Sequence, residues 1–167
     1  MLDALSLQSE RPRARHLAAA ETPLPCTMAD GYDLQRFILA QEPVYSQVCS
    51  ELAAGNKTSH WMWFVFPQLK ALGRSAIAQH FGIASRAEAE AYWQHPVLGF
   101  RLKACSELVM AVEGKSALQI FHSPDDLKLR SSMTLFAQVA PQEAVFNHVL
   151  AKYFGGKGDA MTLDLLQ

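Results

Sequence analysis

Hydrophobic positions from Asp33 onward recur every three or four residues, which is the spacing of one face of an α-helix. The pattern predicts a first helical segment through Phe37, with Asp33 as its cap. It predicts a second segment that begins near Pro43 and stops at Gly55. The amino-terminal half of the patterned region is therefore predicted to be helical.

Serine and proline mark the later helix starts. Ser75 is placed to cap a short helix, and Ser85 with Glu88 has the spacing of a capping box. A long helix is predicted from Pro96 toward Glu113. The stretch 123–126, with Ser123 as cap, predicts another helix toward residue 139, and a last one runs over 141–154.

Strand signals are scarce along the chain. The run 61–66 is short enough for a buried strand, and its periodicity leaves a buried helix equally open. We therefore predict a mostly α, compact, multi-helix single domain over residues 30–167, with little or no strand. Residues 1–29 are expected to be a disordered tail or, because Met28 precedes the first patterned residues, a segment upstream of the natural translation start.

Composition narrows the function classes. The net charge of -1 argues against an anionic membrane partner and against extended contact with nucleic-acid backbones, although a single flipped base stays open. The 3 cysteines are widely spaced, which favours a reducing, cytoplasmic compartment over a disulfide framework. No spacing typical of a metal site is present, so neither a metal nor another cofactor is predicted.

The segment 57–68 places polar residues directly before a dense aromatic block. Lys57 and His60 precede Trp61 and Trp63. Tryptophans two positions apart point in different directions, so one is expected to pack inward while the other is available to stack on a flat ligand. His60 is read either as a structural residue or as a general base.

Four further places carry polar groups that fit a ligand or a structural role. Arg74 and Ser75 form either an anion site at a helix start or an ordinary cap, and His95 is either structural at a helix junction or faces a cleft. In 123–134, Asp126 and Arg130 have the spacing of an ordinary ion pair. Residues 155–162 are expected to be a mobile flap or a loose terminus.

Serines inside the predicted helix at 123–139 are less ordinary. Ser131 and Ser132 follow Lys128 along that helix. A serine in a helix interior competes with the backbone for hydrogen bonds, so it commonly has a tertiary partner or a ligand.

Several segments together resemble the bacterial family known as domain of unknown function 1810, whose members are often mislabelled calpastatin. The matching segments are DLQRFILAQ, the block 57–69, LGRS at 72–75, EAEAYWQHPVLGFRL at 88–102, IFHSPDDLKLRSSMTLF at 120–136 and YFGGKGDAMTL at 153–163. The resemblance implies a compact, mostly helical, cytoplasmic bacterial protein without an established activity. The family pattern leads us to expect glycine where this chain has His122. Protease inhibition, which the calpastatin label implies, has no support in a chain with a hydrophobic core.

A weaker similarity links the chain to the NADAR superfamily, which is associated with ADP-ribose chemistry. It supports the hypothesis of a protein that binds or hydrolyses a phosphate-bearing nucleotide derivative such as an ADP-ribose N-glycoside. The candidate catalytic residues are Lys57, His60 and Asp126, and the candidate ligand-binding residues are Trp61, Trp63, Arg74, Ser75, His95, Lys128, Ser131 and Ser132. The alternative hypothesis is a non-catalytic helical interaction module.

Overall fold

The computed structural model describes residues 31–167. The expected tail at 1–29 and the alternative start at Met28 lie outside the described residues. Ten α-helices follow one another in the described part: α1 (Gln35–Gln41), α2 (Tyr45–Ala53), α3 (Met62–Val65), α4 (Ala76–Phe81), α5 (Arg86–Gln94), α6 (Pro96–Ala111), α7 (Ala117–Phe121), α8 (Asp125–Val139), α9 (Val145–Phe154) and α10 (Ala160–Leu165).

The fold class predicted from the sequence is confirmed. Helix accounts for 66% of the described residues and strand for 1%, with no sheet among them. A single parallel bridge joins Leu69 to Ile83 on either side of the 3-10 turn Lys70–Leu72 and α4. The ambiguous run 61–66 forms the short helix α3.

The hydrophobic core lies around α8 and α6. Helix α8 packs against α5, α7 and α9, and α6 packs against α2, α5 and α9. Leu129, Met133 and Phe136 are fully buried on α8, which is the spacing of one helix face. The aromatic block contributes Trp61 and Phe66, both 1% exposed, to the same core.

Several predicted helix ends are confirmed. Ser75 Oγ accepts from the Ala78 N–H at 3.2 Å, and Ser85 Oγ accepts from the Glu88 N–H at 3.1 Å. Gly155 ends α9 in the left-handed conformation, at φ 61°. Helix α7 has a capping box formed by Ser116 and Gln119, which we did not predict although the sequence spacing is present.

The capping box predicted at Ser85 is only half formed. The Glu88 carboxylate accepts from the Ala84 N–H at 2.7 Å, rather than from the Ser85 N–H, and its other oxygen lies 2.6 Å from Arg36 Nη2. Glu88 is buried, so a positive partner from α1 stabilises its charge more than a second capping bond could. A helix-start motif is thereby used to join α1 to α5.

Three predicted starts are wrong. Helix α1 begins after Leu34 instead of Asp33, and α8 begins after Pro124, so Ser123 sits one position too early for its hydroxyl to reach the first turn. Helix α9 begins at Val145 instead of residue 141, because residues 141–143 form a turn closed by the Glu143 N–H to the Ala140 carbonyl at 3.0 Å.

The carboxy-terminal segment, expected to be a mobile flap or a loose terminus, is hydrogen-bonded to α8. Asp159 caps α10 by accepting from the Thr162 N–H at 2.9 Å, and its own N–H donates to Thr134 Oγ1 on α8 at 2.8 Å. Arg130 donates to the carbonyls of Lys157 at 2.9 Å and Gly158 at 3.0 Å. The segment is therefore fixed to α8 by its backbone. Across residues 31–167, no helix combines the length and the apolar character that a bilayer span requires.

Candidate functional site

A buried lysine lies at the centre of the candidate site. The side chain of Lys57, which follows α2, is only 7% exposed. Its Nζ donates to the Ser59 carbonyl at 2.6 Å and lies 2.8 Å from Asp125 Oδ2. The same ammonium lies 5.1 Å from the ring centroid of Trp61. Lys57 is therefore held by a carboxylate, a carbonyl and an aromatic face at once.

Glu51 on α2 organises the loop that carries this lysine. Its Oε2 accepts from the Thr58 N–H at 2.9 Å, the Ser59 N–H at 3.2 Å and Trp61 Nε1 at 2.8 Å. Its Oε1 accepts from Ser59 Oγ at 2.6 Å. Burial acts to raise the pKa of Glu51, but these hydrogen bonds outweigh it and lower the pKa to about 2.

We did not identify Glu51 from the sequence. It lies on α2 between Val48 and Leu52, both fully buried. That position beside the apolar stripe was the available signal, because a carboxylate there must find buried donors. The donors come from the loop after the helix, and only the folded chain brings them to it.

Asp125, the first residue of α8, joins two lysines. Its Oδ2 lies 2.8 Å from Lys57 Nζ, and its Oδ1 lies 2.8 Å from Lys128 Nζ. Burial acts to raise the pKa of Asp125, but hydrogen bonds from Lys128 and Lys57 outweigh it, so the pKa lies below its ordinary value. The sequence analysis selected Asp126 instead. Two adjacent acids at a helix start look alike in sequence, and only the packing decides which one faces the lysines.

Asp126 has a different environment from its neighbour. Its N–H donates to the His122 carbonyl at 3.0 Å, while its buried Oδ1 has no hydrogen-bond partner within 31–167. The ion pair predicted with Arg130 does not form, since that guanidinium donates to the carbonyls of Lys157 and Gly158. Asp126 therefore keeps one acceptor that the described structure leaves unused.

Trp63 forms the wall of a small cleft. It is half-buried, whereas Trp61 is buried, which confirms that one tryptophan packs inward and the other stays accessible. The His60 ring stacks on Trp63 with centroids 6.5 Å apart, and Lys128 Nζ lies 4.9 Å from the Trp63 ring centroid. The cleft is shallow and open to solvent, and its lining includes Met62, Trp63, Phe66, Phe81, Gly82 and Lys128.

Arg74 and Ser75 lie at the start of α4, whose later residues Ala78 and Phe81 line the cleft. Ser75 Oγ is used in the cap of α4. Arg74 is exposed, and within the described residues its guanidinium forms no hydrogen bond or ion pair. The two residues are absent from the lining of the Trp63 cleft.

His95 is a structural residue at the junction of α5 and α6. Its Nδ1 accepts from the Val97 N–H at 3.2 Å and the Leu98 N–H at 3.3 Å. Burial lowers the pKa of His95, which favours the neutral ring that can accept both bonds. The ring therefore caps α6 and does not line the Trp63 cleft.

The adjacent serines of α8 differ from each other. Ser131 Oγ donates to the Leu127 carbonyl at 3.2 Å, within its own helix. Ser132 is fully buried, and its Oγ has no partner among residues 31–167. Ser132 lies one helical turn beyond Lys128, on the side of α8 that carries the lysine.

His122 borders the site in a conformation that favours glycine. Its φ of 62° and ψ of 164° lie in a region that side chains with a Cβ rarely adopt. Its Nε2 lies 3.3 Å from Asn56 Oδ1, next to Lys57. The conformation gives a physical reason for the glycine that the family pattern leads us to expect here.

Residues 31–166 match the family described as a protein of unknown function (DUF1810). The chain belongs to this family. The resemblance stated from the sequence is thereby confirmed, and the match spans all the helices of the described fold. The DUF1810 description states no activity.

A solved structure is similar to this DUF1810 chain. It is the conserved hypothetical protein Rv1873 from Mycobacterium tuberculosis, with a TM-score of 0.81 and 55% sequence identity. The alignment covers 82% of this chain and 98% of that chain. The comparison with curated proteins gives no match. These comparisons name no activity, so a function for the site is inferred from its geometry.

Proposed function

We propose that this protein binds a phosphate-bearing nucleotide derivative in the cleft beside Trp63, and that it acts on an ADP-ribose N-glycoside. One observation carries the proposal: Lys128 lines the cleft, contacts the face of Trp63 and is joined through Asp125 to the buried Lys57. A cation and an indole at one opening are the groups that a phosphate and a flat base require.

The indole of Trp63 supplies the stacking surface in this proposal. Stacking of a base on an aromatic side chain is typically worth ~1–3 kcal/mol. His60 already stacks on Trp63 and is exposed, so a ligand base replaces or extends that stack. Trp61 has a structural role instead, because it is buried and its Nε1 is bonded to Glu51.

The lysines have different tasks. Lys128 is half-buried and binds phosphate, while Lys57 is buried and holds Asp125 in place. With Asp125 paired to both lysines, Asp126 is the neighbouring carboxylate that has an uncommitted oxygen. Asp126 lies outside the lining of the cleft, and we propose that the sugar of a bound ligand reaches it, so that it stabilises positive charge at the sugar carbon while water displaces the base.

The choice of ADP-ribose within nucleotide derivatives rests on the similarity to the NADAR superfamily. The cytoplasm is the proposed location, supported by free thiols at Cys49 and Cys105, which suit a reducing compartment.

A non-catalytic interaction module is the second candidate, and a specific observation favours it. Ser75 and His95 cap helices, and Ser131 bonds to its own helix. Under this alternative every polar group of the site supports folding alone. Variants at Lys128 and Asp126 then change stability without changing any ligand response.

Thermal unfolding in the presence of ADP-ribose, NAD or nucleotides at millimolar concentration tests the proposal. A ligand at a hundredfold its dissociation constant stabilises by ~2.7 kcal/mol, so the wild-type melting temperature rises measurably. Trp63→Leu is expected to abolish the shift. Trp93→Leu is the matched control, because Trp93 is also half-buried but packs on Phe146, and it keeps the shift.

The proposed hydrolysis is tested by a separate measurement. Release of the base from an ADP-ribose N-glycoside is followed by chromatography, and Asp126→Asn is expected to lose it while keeping the thermal shift. The absence of any shift in the wild-type protein contradicts the binding proposal. A shift without base release contradicts only the reaction.

A further inference from the structure

Helices α2 and α6 lie side by side and run in the same direction. At one end, Arg101 Nη2 on α6 lies 2.7 Å from Oε2 of Glu42, a residue just before α2. The Arg101 Cζ lies 4.6 Å from the ring centroid of Tyr45, the first residue of α2. At the other end, Lys115, beyond α6, donates to the Gly55 carbonyl, beyond α2, at 3.0 Å. Contacts therefore join the two helices near their starts and beyond their ends, which fixes the register of α2 against α6.

This register places two cysteines against each other. Cys49 lies one turn beyond Tyr45 on α2, and Cys105 lies one turn beyond Arg101 on α6. Because the helices pack in parallel and Arg101 contacts Tyr45, the two cysteines face each other one turn further along the pair. Neither cysteine is in a disulfide.

The two thiols differ in access. Cys49 is half-buried, whereas Cys105 is 0% exposed in the core. A reagent from solvent therefore reaches Cys49 first, because Cys105 has no exposed surface. This is the arrangement of an attacking thiol with a resolving thiol behind it.

We propose that Cys49 and Cys105 are a modification site, a dithiol that a hydroperoxide oxidises reversibly to an intramolecular disulfide between α2 and α6. The register of α2 and α6, fixed at both ends, holds the two cysteines at the same level of the helix pair. The proposal stands on this geometry and is independent of any activity at the Trp63 cleft.

The chemistry balances with the hydroperoxide as oxidant. The Cys49 thiolate attacks the terminal peroxide oxygen, the O–O bond breaks, and an alcohol leaves after taking a proton, which gives a sulfenic acid on Cys49. The Cys105 sulfur then attacks the Cys49 sulfur, the S–O bond breaks, and hydroxide leaves as water with the Cys105 proton. Two thiols are oxidised, and the hydroperoxide is reduced to an alcohol and water.

The environment sets the order of these steps. Burial raises the pKa of the Cys105 thiol above its ordinary value, while the Arg101 guanidinium acts in the opposite direction. Cys105 is consequently a poor first nucleophile toward peroxide. Its reaction begins only when Cys49 carries a leaving group within contact distance.

Mass spectrometry of peroxide-treated protein tests the proposal in a Cys26→Ser background, which removes the remaining cysteine of the sequence. The Cys26→Ser protein is expected to lose the mass of two hydrogen atoms and both titratable thiols, and dithiothreitol restores them. Proteolytic mapping is expected to find the peptides of Cys49 and Cys105 linked within one chain.

Two further variants separate the steps. Cys26→Ser/Cys105→Ser is expected to stop at a sulfenic acid on Cys49 that dimedone captures, and Cys26→Ser/Cys49→Ser is expected to keep Cys105 reduced. The proposal is overturned if the Cys26→Ser protein keeps both thiols, forms disulfides only between chains, or accumulates sulfinic acid on Cys49 with no internal link.

Discussion

Lys57 and Asp125 meet at 2.8 Å between Nζ and Oδ2, and this ion pair joins the loop after α2 to the first turn of α8. The backbone strengthens the same junction, because the Lys57 N–H donates to the Ile120 carbonyl at 2.8 Å. A lysine that is only 7% exposed thus gains a main-chain bond and a carboxylate from one region of the chain. Folding and the candidate chemistry share this contact.

Removal of the Lys57 charge is expected to destabilise the fold. Lys57→Met keeps the aliphatic stem but leaves the half-buried Asp125 with Lys128 alone. Loss of one partner of a buried pair costs about 3–5 kcal/mol, and the remaining lysine reduces the effect below this range, to about 2–3 kcal/mol. Urea unfolding of the variant measures the loss.

A double-mutant cycle checks that the pair is the cause. Lys57→Met with Asp125→Asn is expected to cost less than the two single losses added together, by about 1 kcal/mol or more. Lys103→Ala is the matched control, because Lys103 pairs with Glu143 on the surface side of α6 and is 42% exposed. That variant is expected to cost little, because solvent screens an exposed ion pair. Strict additivity in the cycle contradicts the assigned role.

Glu51 is expected to make stability depend on acid pH. Burial acts to raise its pKa, but hydrogen bonds outweigh it and lower the pKa in the folded state from 4.5 to about 2, so the unfolded state binds more protons in the window between these two values. The stabilisation is complete above the unfolded pKa and is lost as the pH falls toward 2. A shift of this size corresponds to about 3 kcal/mol, of which roughly 2 kcal/mol is lost between about pH 6 and about pH 3.

Unfolding free energies at these two pH values measure the effect. Asp125 and Glu143 also have pKa values below the ordinary range, so the wild-type slope contains their contributions as well. Glu51→Gln is expected to flatten the slope, whereas Glu107→Gln, at an exposed side chain, leaves it unchanged. An unchanged slope in Glu51→Gln is the contrary result.

His122→Gly is expected to stabilise the protein. The backbone at φ 62° and ψ 164° strains any side chain with a Cβ, at a cost of about 1–3 kcal/mol. Glycine removes that strain but adds freedom to the unfolded chain, so the net gain is about 1 kcal/mol. His122→Asn keeps a Cβ and is expected to give no gain. Thermal and urea unfolding compare the three proteins, and equal stability of the glycine variant and the wild type contradicts the strain.

Ser132→Ala is expected to raise stability by about 1 kcal/mol. Its hydroxyl is fully buried and has no partner in the described part of the chain, so alanine removes a polar group that burial penalises. Ser106→Ala is the matched control, because Ser106 is equally buried but donates to the Leu102 carbonyl at 2.8 Å. That variant is expected to be neutral or destabilising. A loss of stability in Ser132→Ala reveals a partner for the hydroxyl.

Local rules predicted the helices better than their exact starts. The caps at Ser75 and Ser85 depend on neighbours within one turn, so the sequence contains the whole interaction. The cap expected at Ser123 failed because Pro124 itself takes the N-cap position. The last helix, α10, was missed although Asp159 offers a local cap, and its contacts to Thr134 and Arg130 on α8 appear only in the fold.

In the candidate site too, local signals were recognised in the sequence, whereas contacts between distant residues were not. Lys57 and Trp63 were found because charged and aromatic residues are unusual together in one short segment. Glu51 and Asp125 were missed because each looks like an ordinary helix-surface acid until its donors arrive from another part of the chain. The pairing expected between Asp126 and Arg130 was replaced by contacts to a distant backbone.

The sequence by itself determined a helical protein with a polar-aromatic segment, because helix periodicity, capping and residue type act over a few neighbouring positions. Only the tertiary structure decided which carboxylate meets Lys57, which tryptophan stays accessible and which cysteine is buried behind the other on the facing helix. Those outcomes depend on contacts between residues far apart in the chain, and no local spacing specifies which buried charge will find which partner.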